Sequence, residues 1–128
     1  MKNQWTLLED RGIGGEPLYQ DEQGFVRMEL LPDALRQQLP TRGSIEDEPD
    51  PTVYAKFFHI TSSFYWYVLA FDGEDILYGY VSSPMAEEFG TFSLSELENI
   101  GDSTRMVMPI ERDLVFTPRP LSEAKKEA

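Results

Sequence analysis

Asp72, Glu74 and Asp75 place three carboxylates in one short stretch. Hard cations such as Mg²⁺ and Ca²⁺ require oxygen ligands of this kind. An EF-hand, however, spreads alternating ligands over about twelve residues and ends on a glutamate, and that spacing is absent. Asp and Gly are also the ordinary residues of tight turns, so Asp72-Gly73-Glu74-Asp75 is read as a turn and no metal is expected. Glu111 and Asp113 flank Arg112. In a strand, alternate residues share a face, so these two carboxylates would stand together and could act as acid and base. Structural pairing with Lys56 or Arg105 is the expected outcome, because ion-pair networks also perturb titration. His59 is the single histidine, which excludes a multi-histidine metal site. With Ser62 or Ser63 it would form a nucleophile–base pair, but neither serine lies in a nucleophile elbow. A half-buried structural histidine, on the face of Phe57 and Val53, is expected. Arg11 to Pro17 holds three glycines but lacks the Lys-Ser/Thr pair of a phosphate loop, and is read as a connecting loop. No catalytic residue and no cofactor is therefore assigned.

The aromatic residues are concentrated. Tyr54, Phe58, Tyr65, Trp66, Tyr67, Tyr78 and Tyr80 fall within 27 positions. Aromatic sheets can stack single-stranded bases, but such platforms need a cationic groove. Here the charge has the wrong sign. The chain has 128 residues and a net charge of -12, and residues 43–100 hold eleven acids against Lys56 alone. That field repels a phosphate backbone and would steer a basic protein surface toward the chain. Direct nucleic-acid binding is thus not expected. A basic stripe would have to come from Arg105, Arg112, Arg119, Lys125 and Lys126, in the neutral last segment. There is no cysteine, hence no disulfide scaffold, thiolate metal site or cysteine nucleophile. No apolar run approaches a membrane span of about 18 residues, and the start lacks a signal-peptide apolar region. A cytoplasmic protein is expected.

The elements that must carry these residues follow from periodicity. Trp5 to Leu8 reads as a short strand or helical start, and Phe25 to Leu30 alternates like a short strand. Leu31, Leu35 and Leu39 line one face of a two-turn helix that Pro32 opens and Pro40 stops. Residues 41–52 form a polar, acidic loop that can bury little and is expected to be mobile. Val53–Ile60, Phe64–Phe71 and Ile76–Ser82 are strand-forming runs joined by hairpin-length links, and the second is apolar on both faces, as in a central strand. Ser93 and Glu96 match a capping box for a helix from Leu94 to about Ile100, with Gly101 beyond its end. Leu114 to Thr117 reads as a last strand, and 122–128 as a frayed tail. The expected fold is one α+β domain over 1–128: an antiparallel sheet built on a three-stranded meander at about 53–82, with one or two short helices on one face.

Several strings then become recognisable in order: Tyr54-x-Lys56-Phe57-Phe58, Tyr65-Trp66-Tyr67, Phe71-Asp72-Gly73-Glu74-Asp75, Gly90-x-Phe92-Ser93-Leu94-Ser95-Glu96-Leu97-Glu98, Ile110-Glu111-Arg112-Asp113-Leu114 and Pro118-Arg119-Pro120-Leu121-Ser122. Over about residues 28–123 the chain resembles the bacterial family called domain of unknown function 2958. Residues 1–27 lie outside the resemblance, and Asp102 to Met108 departs from the usual pattern. The resemblance implies an accessory protein of mobile genetic elements, with no activity or ligand attached.

The function expected from charge and aromatics is a non-enzymatic interaction protein that docks on a basic surface of a protein partner. In its sharpest form the carboxylates imitate phosphates, as in a DNA mimic with an anti-defence or regulatory role. The residues expected to bind are Glu46, Asp47, Glu48, Asp50, Asp72, Glu74 and Asp75, with Tyr65, Tyr67 and Tyr78. Two alternatives stand beside it: a small metal-dependent or acid–base enzyme using Asp72, Asp75, Glu111 and Asp113, and a single-stranded DNA accessory protein.

Overall fold

The computed structural model describes residues 5–9, 16–59, 61–101 and 107–127. In chain order the elements are β1 (Thr6–Glu9), β2 (Leu18–Gln20), β3 (Val26–Met28), α1 (Asp33–Gln38), a 3-10 turn (Gly43–Ile45), β4 (Thr52–Val53), β5 (Ala55–His59), β6 (Tyr65–Phe71), β7 (Ile76–Ser82), β8 (Glu87–Ser93), α2 (Leu94–Glu98), β9 (Ile110–Arg112), β10 (Arg119–Pro120), α3 (Leu121–Ala124) and a closing 3-10 turn (Lys125–Glu127). A five-stranded antiparallel sheet has the order β8-β7-β6-β5-β9. The first three strands form a separate antiparallel sheet, and β10 pairs with β4.

The α+β expectation is corrected: the chain is mostly sheet. The helices have six, five and four residues. Pro32 and Pro40 bracket the first, and the chain turns at Gly101, with φ +107, soon after the second. The expected single helical face is also replaced, because β6 is buried from Trp66 through Phe71 on both sides. On one face Ala55, Phe57, Trp66, Val68 and Leu77 pack against Leu30, Leu31, Leu94 and Leu97. On the other, Tyr67 and Leu69 pack against Val53, Leu121 and Ala124. The tail expected to fray from Ser122 is therefore part of the core: Ala124 is 1% exposed. Val53 and Phe57 lie on opposite faces, since Tyr54 separates β4 from β5 and donates its N–H to the Val68 carbonyl.

The late strand expected at Leu114–Thr117 is displaced. Pairing runs instead through Ile110–Arg112 beside β5. The Asp113 carboxylate then accepts the Val115 N–H at 3.0 Å, a local turn that competes with strand. Val115 is left 86% exposed.

Two buried arginines join the layers. From β3, Arg27 pairs with Asp21 (2.8 Å) and donates to the carbonyls of Glu98, the last residue of α2, and of Ile100 and Gly101 just past it. Cations belong at this carbonyl-rich end of a helix. From β9, Arg112 donates to the carbonyls of Glu29 and Leu30 and pairs with Glu16. Beside Arg27's carbonyl partners, burial raises the pKa of the Glu98 carboxyl above its ordinary value; the Leu30 backbone N–H opposes this and nearby Glu29 adds to it.

Two predictions follow from the packing. β6 carries a register irregularity between Val68 and Ala70, and Gly79 sits opposite Val68. A Cβ on Gly79 would run into the Tyr67 carbonyl, whereas one on its strand partner Gly90 meets nothing. Gly79→Ala should cost about 1–3 kcal/mol or more and Gly90→Ala no more than about 0.5 kcal/mol, read from urea midpoints. Glu98 has a raised folded pKa, so its contribution to stability declines as pH rises from the ordinary glutamate value of about 4.3 through the raised one. Glu98→Gln should flatten that limb and exceed the parent in thermal midpoint at neutral pH, with the two converging below about pH 4.

Candidate functional site

The Asp72–Asp75 stretch is a structural turn. Gly73 takes φ +91. One carboxylate oxygen of Asp72 accepts the N–H groups of Glu74, Asp75 and Ile76 at 2.8, 2.9 and 3.0 Å. These bonds, that of Glu74 foremost, hold the Asp72 carboxyl below its ordinary pKa. Asp75 caps α2: it accepts the Ser93 hydroxyl at 2.6 Å and the Ser95 N–H at 2.8 Å. The Ser93 hydroxyl bond leads in lowering the Asp75 pKa. Ser93 accepts from the Glu96 N–H as the capping box requires, but the carboxylate that completes the cap comes from Asp75, eighteen residues away in sequence. Asp72 and Glu74 are exposed and Asp75 is half-buried; among the described residues the Glu74 carboxylate, unlike those of Asp72 and Asp75, accepts no bond from the turn or the helix.

The acidic segment 41–52 is ordered by the layer it joins. Its 3-10 turn is closed by Ser44 and Ile45 N–H bonds to Thr41 and Arg42 carbonyls. Asp50 reaches α3, accepting the Ser122 hydroxyl at 2.6 Å and the Ser122 N–H at 2.9 Å. Those two bonds, and Lys125 nearby, lower the Asp50 pKa. Glu46, Asp47 and Glu48 remain exposed.

The tyrosines divide similarly. Tyr67 is 0% exposed and cannot reach a partner, which removes it from the expected contact set. Tyr65 and Tyr78 are half-buried on the same face. Cations stand over this face: Arg42 lies 4.2 Å from the centre of the Tyr78 ring, Lys56 4.9 Å from Tyr65, and Lys125 4.6 Å from Tyr80. The picture of Lys56 as a lone cation among acids is therefore corrected, because folding brings Arg42 and Lys125 in from either side of the central segment.

One cleft gathers several expected residues. It has a volume of about 310 Å³ and is lined by Arg42, Glu46, Glu48, Leu69, Tyr78 and Phe89, among others. Tyr78 and Phe89 stack at 6.3 Å with rings 15° apart. Phe89, on the outermost strand β8, is 50% exposed. Its neighbours Glu87 and Glu88 are exposed as well, and Met85 on the preceding turn is 93% exposed. These four residues were not singled out from sequence. The signal available was a strand-length run bearing charges, which is how natural sheets protect an edge.

The other groups do not assemble. Glu111 pairs across from Phe58, itself opposite Tyr65, whereas Asp72 follows Phe71 at the far end of β6. Six residues of strand separate the two levels, about 20 Å. The four carboxylates of the enzyme alternative thus share no pocket. Among the described residues no three such side chains gather to hold a metal. His59 is bonded at both nitrogens, to the Met108 carbonyl and to the Ser62 hydroxyl, each at 2.9 Å. The carbonyl can only accept, so Nε2 donates to it. Ser62 is exposed on the tight turn after β5, and the pair closes that turn. Of the described members of the basic stripe, Arg112 is buried, Arg119 is half-buried and stacks on Phe116 at 4.6 Å, and Lys125 and Lys126 are exposed. Arg105, like residues 11–15 of the glycine-rich loop, lies outside the described residues.

The chain belongs to the DUF2958 family, described as protein of unknown function, whose profile matches residues 30–128. The β1–β3 sheet precedes the matched region. Searches of curated proteins and of solved structures found no match. Among the described residues no helix is long and apolar enough to cross a membrane.

Asp50, Asp72 and Asp75 all have depressed folded pKa values. The stability they supply is present above the ordinary aspartate value of about 3.9 and is lost as pH falls through it toward their folded values. Asp72→Asn combined with Asp75→Asn keeps one acceptor oxygen at each position but removes the charge that the turn and helix start favour, so it should lower stability modestly at neutral pH and make the acid limb shallower in a urea titration between about pH 2 and 5.

Proposed function

We propose that this chain is a non-enzymatic interaction protein whose exposed carboxylates engage a basic surface on a protein partner. The reading is supported by one observation above the others. Glu46, Asp47, Glu48, Glu74, Glu87 and Glu88 are exposed, and among the described residues none of them forms a salt bridge. Glu46 and Glu48 also share a cleft with a half-exposed phenylalanine and a tyrosine. Aromatic side chains ringed by polar groups are the usual composition of a contact surface. Asp50, Asp72, Asp75 and Tyr67 leave the proposed contact set, because their groups are engaged in folding the chain. A basic surface of the kind nucleic-acid-binding proteins carry fits the charge, with carboxylates taking the place of phosphates. The resemblance stated from the sequence makes a mobile genetic element the proposed setting, where such a partner would belong to regulation or host defence.

Affinity purification from a host lysate at low and at high salt, followed by mass spectrometry, tests the reading. The partner should be a basic protein whose retention drops by roughly tenfold or more toward molar salt, where the Debye length shrinks to about 3 Å. The combined variant Glu46→Gln, Asp47→Asn, Glu48→Gln, Glu74→Gln should lose that partner while keeping the parent's thermal midpoint. Retention unchanged in molar salt, or full retention by the variant, would sink the reading.

A further inference from the structure

β8 is an open sheet edge whose charges, Glu87 and Glu88, are all of one sign. It ends the five-stranded order, and among the described residues nothing pairs with its outer side. The direction of its backbone groups follows from the bonds at its two ends. Ser83 donates to the Ala86 carbonyl at 2.9 Å before β8, and Leu94 donates to the Asp75 carbonyl at 2.9 Å after it. In an antiparallel ladder, pairs that exchange hydrogen bonds alternate with pairs that do not. Counting from either end, Val81–Glu88, Gly79–Gly90 and Leu77–Phe92 exchange bonds, whereas Ser82–Glu87, Tyr80–Phe89 and Tyr78–Thr91 do not. The N–H and C=O groups of Glu87, Phe89 and Thr91 consequently point away from the sheet. The side chains of the same three residues lie on the face of Tyr78 and Tyr80, the face that carries the cleft.

We infer that β8 is the docking edge for an extended, basic segment of the partner protein, which adds as a sixth strand of the large sheet. This rests on the interaction reading above and specifies how the partner is held. The outward backbone groups of Glu87, Phe89 and Thr91 supply main-chain pairing, and side chains supply selectivity, as strand addition requires. An incoming residue opposite Phe89 shares its face and points toward the cleft lined by Glu46 and Glu48. Arg42 already places a guanidinium 4.2 Å over the neighbouring Tyr78 ring, so this pocket accepts a cation on an aromatic face. Glu87 lies on that same face, so basic residues at alternate positions of the added strand meet Glu87 and the cleft carboxylates together. A second copy of the same chain fits less well, since it would bring another net charge of -12 to the edge.

The test uses a synthetic peptide of alternating lysine and valine, about ten residues long, titrated into the full chain by calorimetry at low salt. Two controls accompany it: a peptide of equal charge with prolines at alternate positions, and a glutamate–valine peptide. The lysine–valine peptide should bind, the proline peptide should bind about tenfold more weakly, the size of one or two lost hydrogen bonds, and the acidic peptide should not bind. Thr91→Pro removes an N–H that the fold does not use, so it should reproduce the tenfold loss without lowering the thermal midpoint. Should that variant fold poorly, the peptide comparison still decides. Equal binding of both basic peptides would overturn strand addition while leaving the acidic-surface reading intact. No binding of either would remove both. A concentration-dependent dimer in sedimentation that Thr91→Pro abolishes would assign the edge to a second copy instead.

Discussion

A strand that is apolar on both sides has to be covered on both sides. β6 imposes this condition, since every residue from Trp66 to Phe71 is buried. One cover consists of Leu30, Leu31 and α2; the other consists of β4, α3 and the segment leading into them. Burying a large side chain contributes about 1.5–3 kcal/mol, so six consecutive buried positions outweigh weak local preferences elsewhere in the chain. Helices of four to six residues are too short to persist alone. They exist because β6 gives them an apolar surface to close.

The same condition explains why charges are found inside. Sheet edges and short helices leave carbonyls without partners, and Arg27 and Arg112 satisfy five of them from strands distant in sequence. A guanidinium suits this work because it carries several donors in a fixed plane and stays charged. Arg27 also fastens the β1–β3 sheet, which lies before the family-matched region, to residues 98–101 within it. The N-terminal sheet is thereby tied to the family-matched part of the chain through polar contacts, with Trp5 and Phe25 rings beside the guanidinium.

Folding sorts the acidic residues into two populations. Asp50, Asp72 and Asp75 spend their oxygens on backbone N–H groups and serine hydroxyls at turns and helix starts. Glu46, Asp47, Glu48, Glu74, Glu87 and Glu88 have no such role and face solvent. The three carboxylates bonded at turns and helix starts are all aspartates, whose short side chain reaches nearby backbone; Asp47 nevertheless faces solvent, and the buried Glu98 takes the Leu30 N–H. The surface that remains for recognition is consequently richer in glutamate than the composition alone suggests, and it borders the open edge of β8.

Local pattern was enough to place the runs that became β5, β6 and β7, the Asp72-Gly73 turn, the Ser93 cap and the leucines of α1, because each depends on neighbours within a few residues. It also carried the family resemblance and the overall charge. It missed β8, whose polar residues and glycine lack strand propensity and pair only because β7 lies alongside. It misjudged the tail and the acidic segment, which look solvated until β6 offers Leu121, Ala124 and Ile45 a face to cover. It could not show that Tyr67 is interior or that Arg42 and Lys125 come to rest on tyrosines. Such facts depend on contacts between positions far apart in the chain, and no periodicity encodes them; the burial of a side chain and the pairing of an edge are properties of the assembled layers.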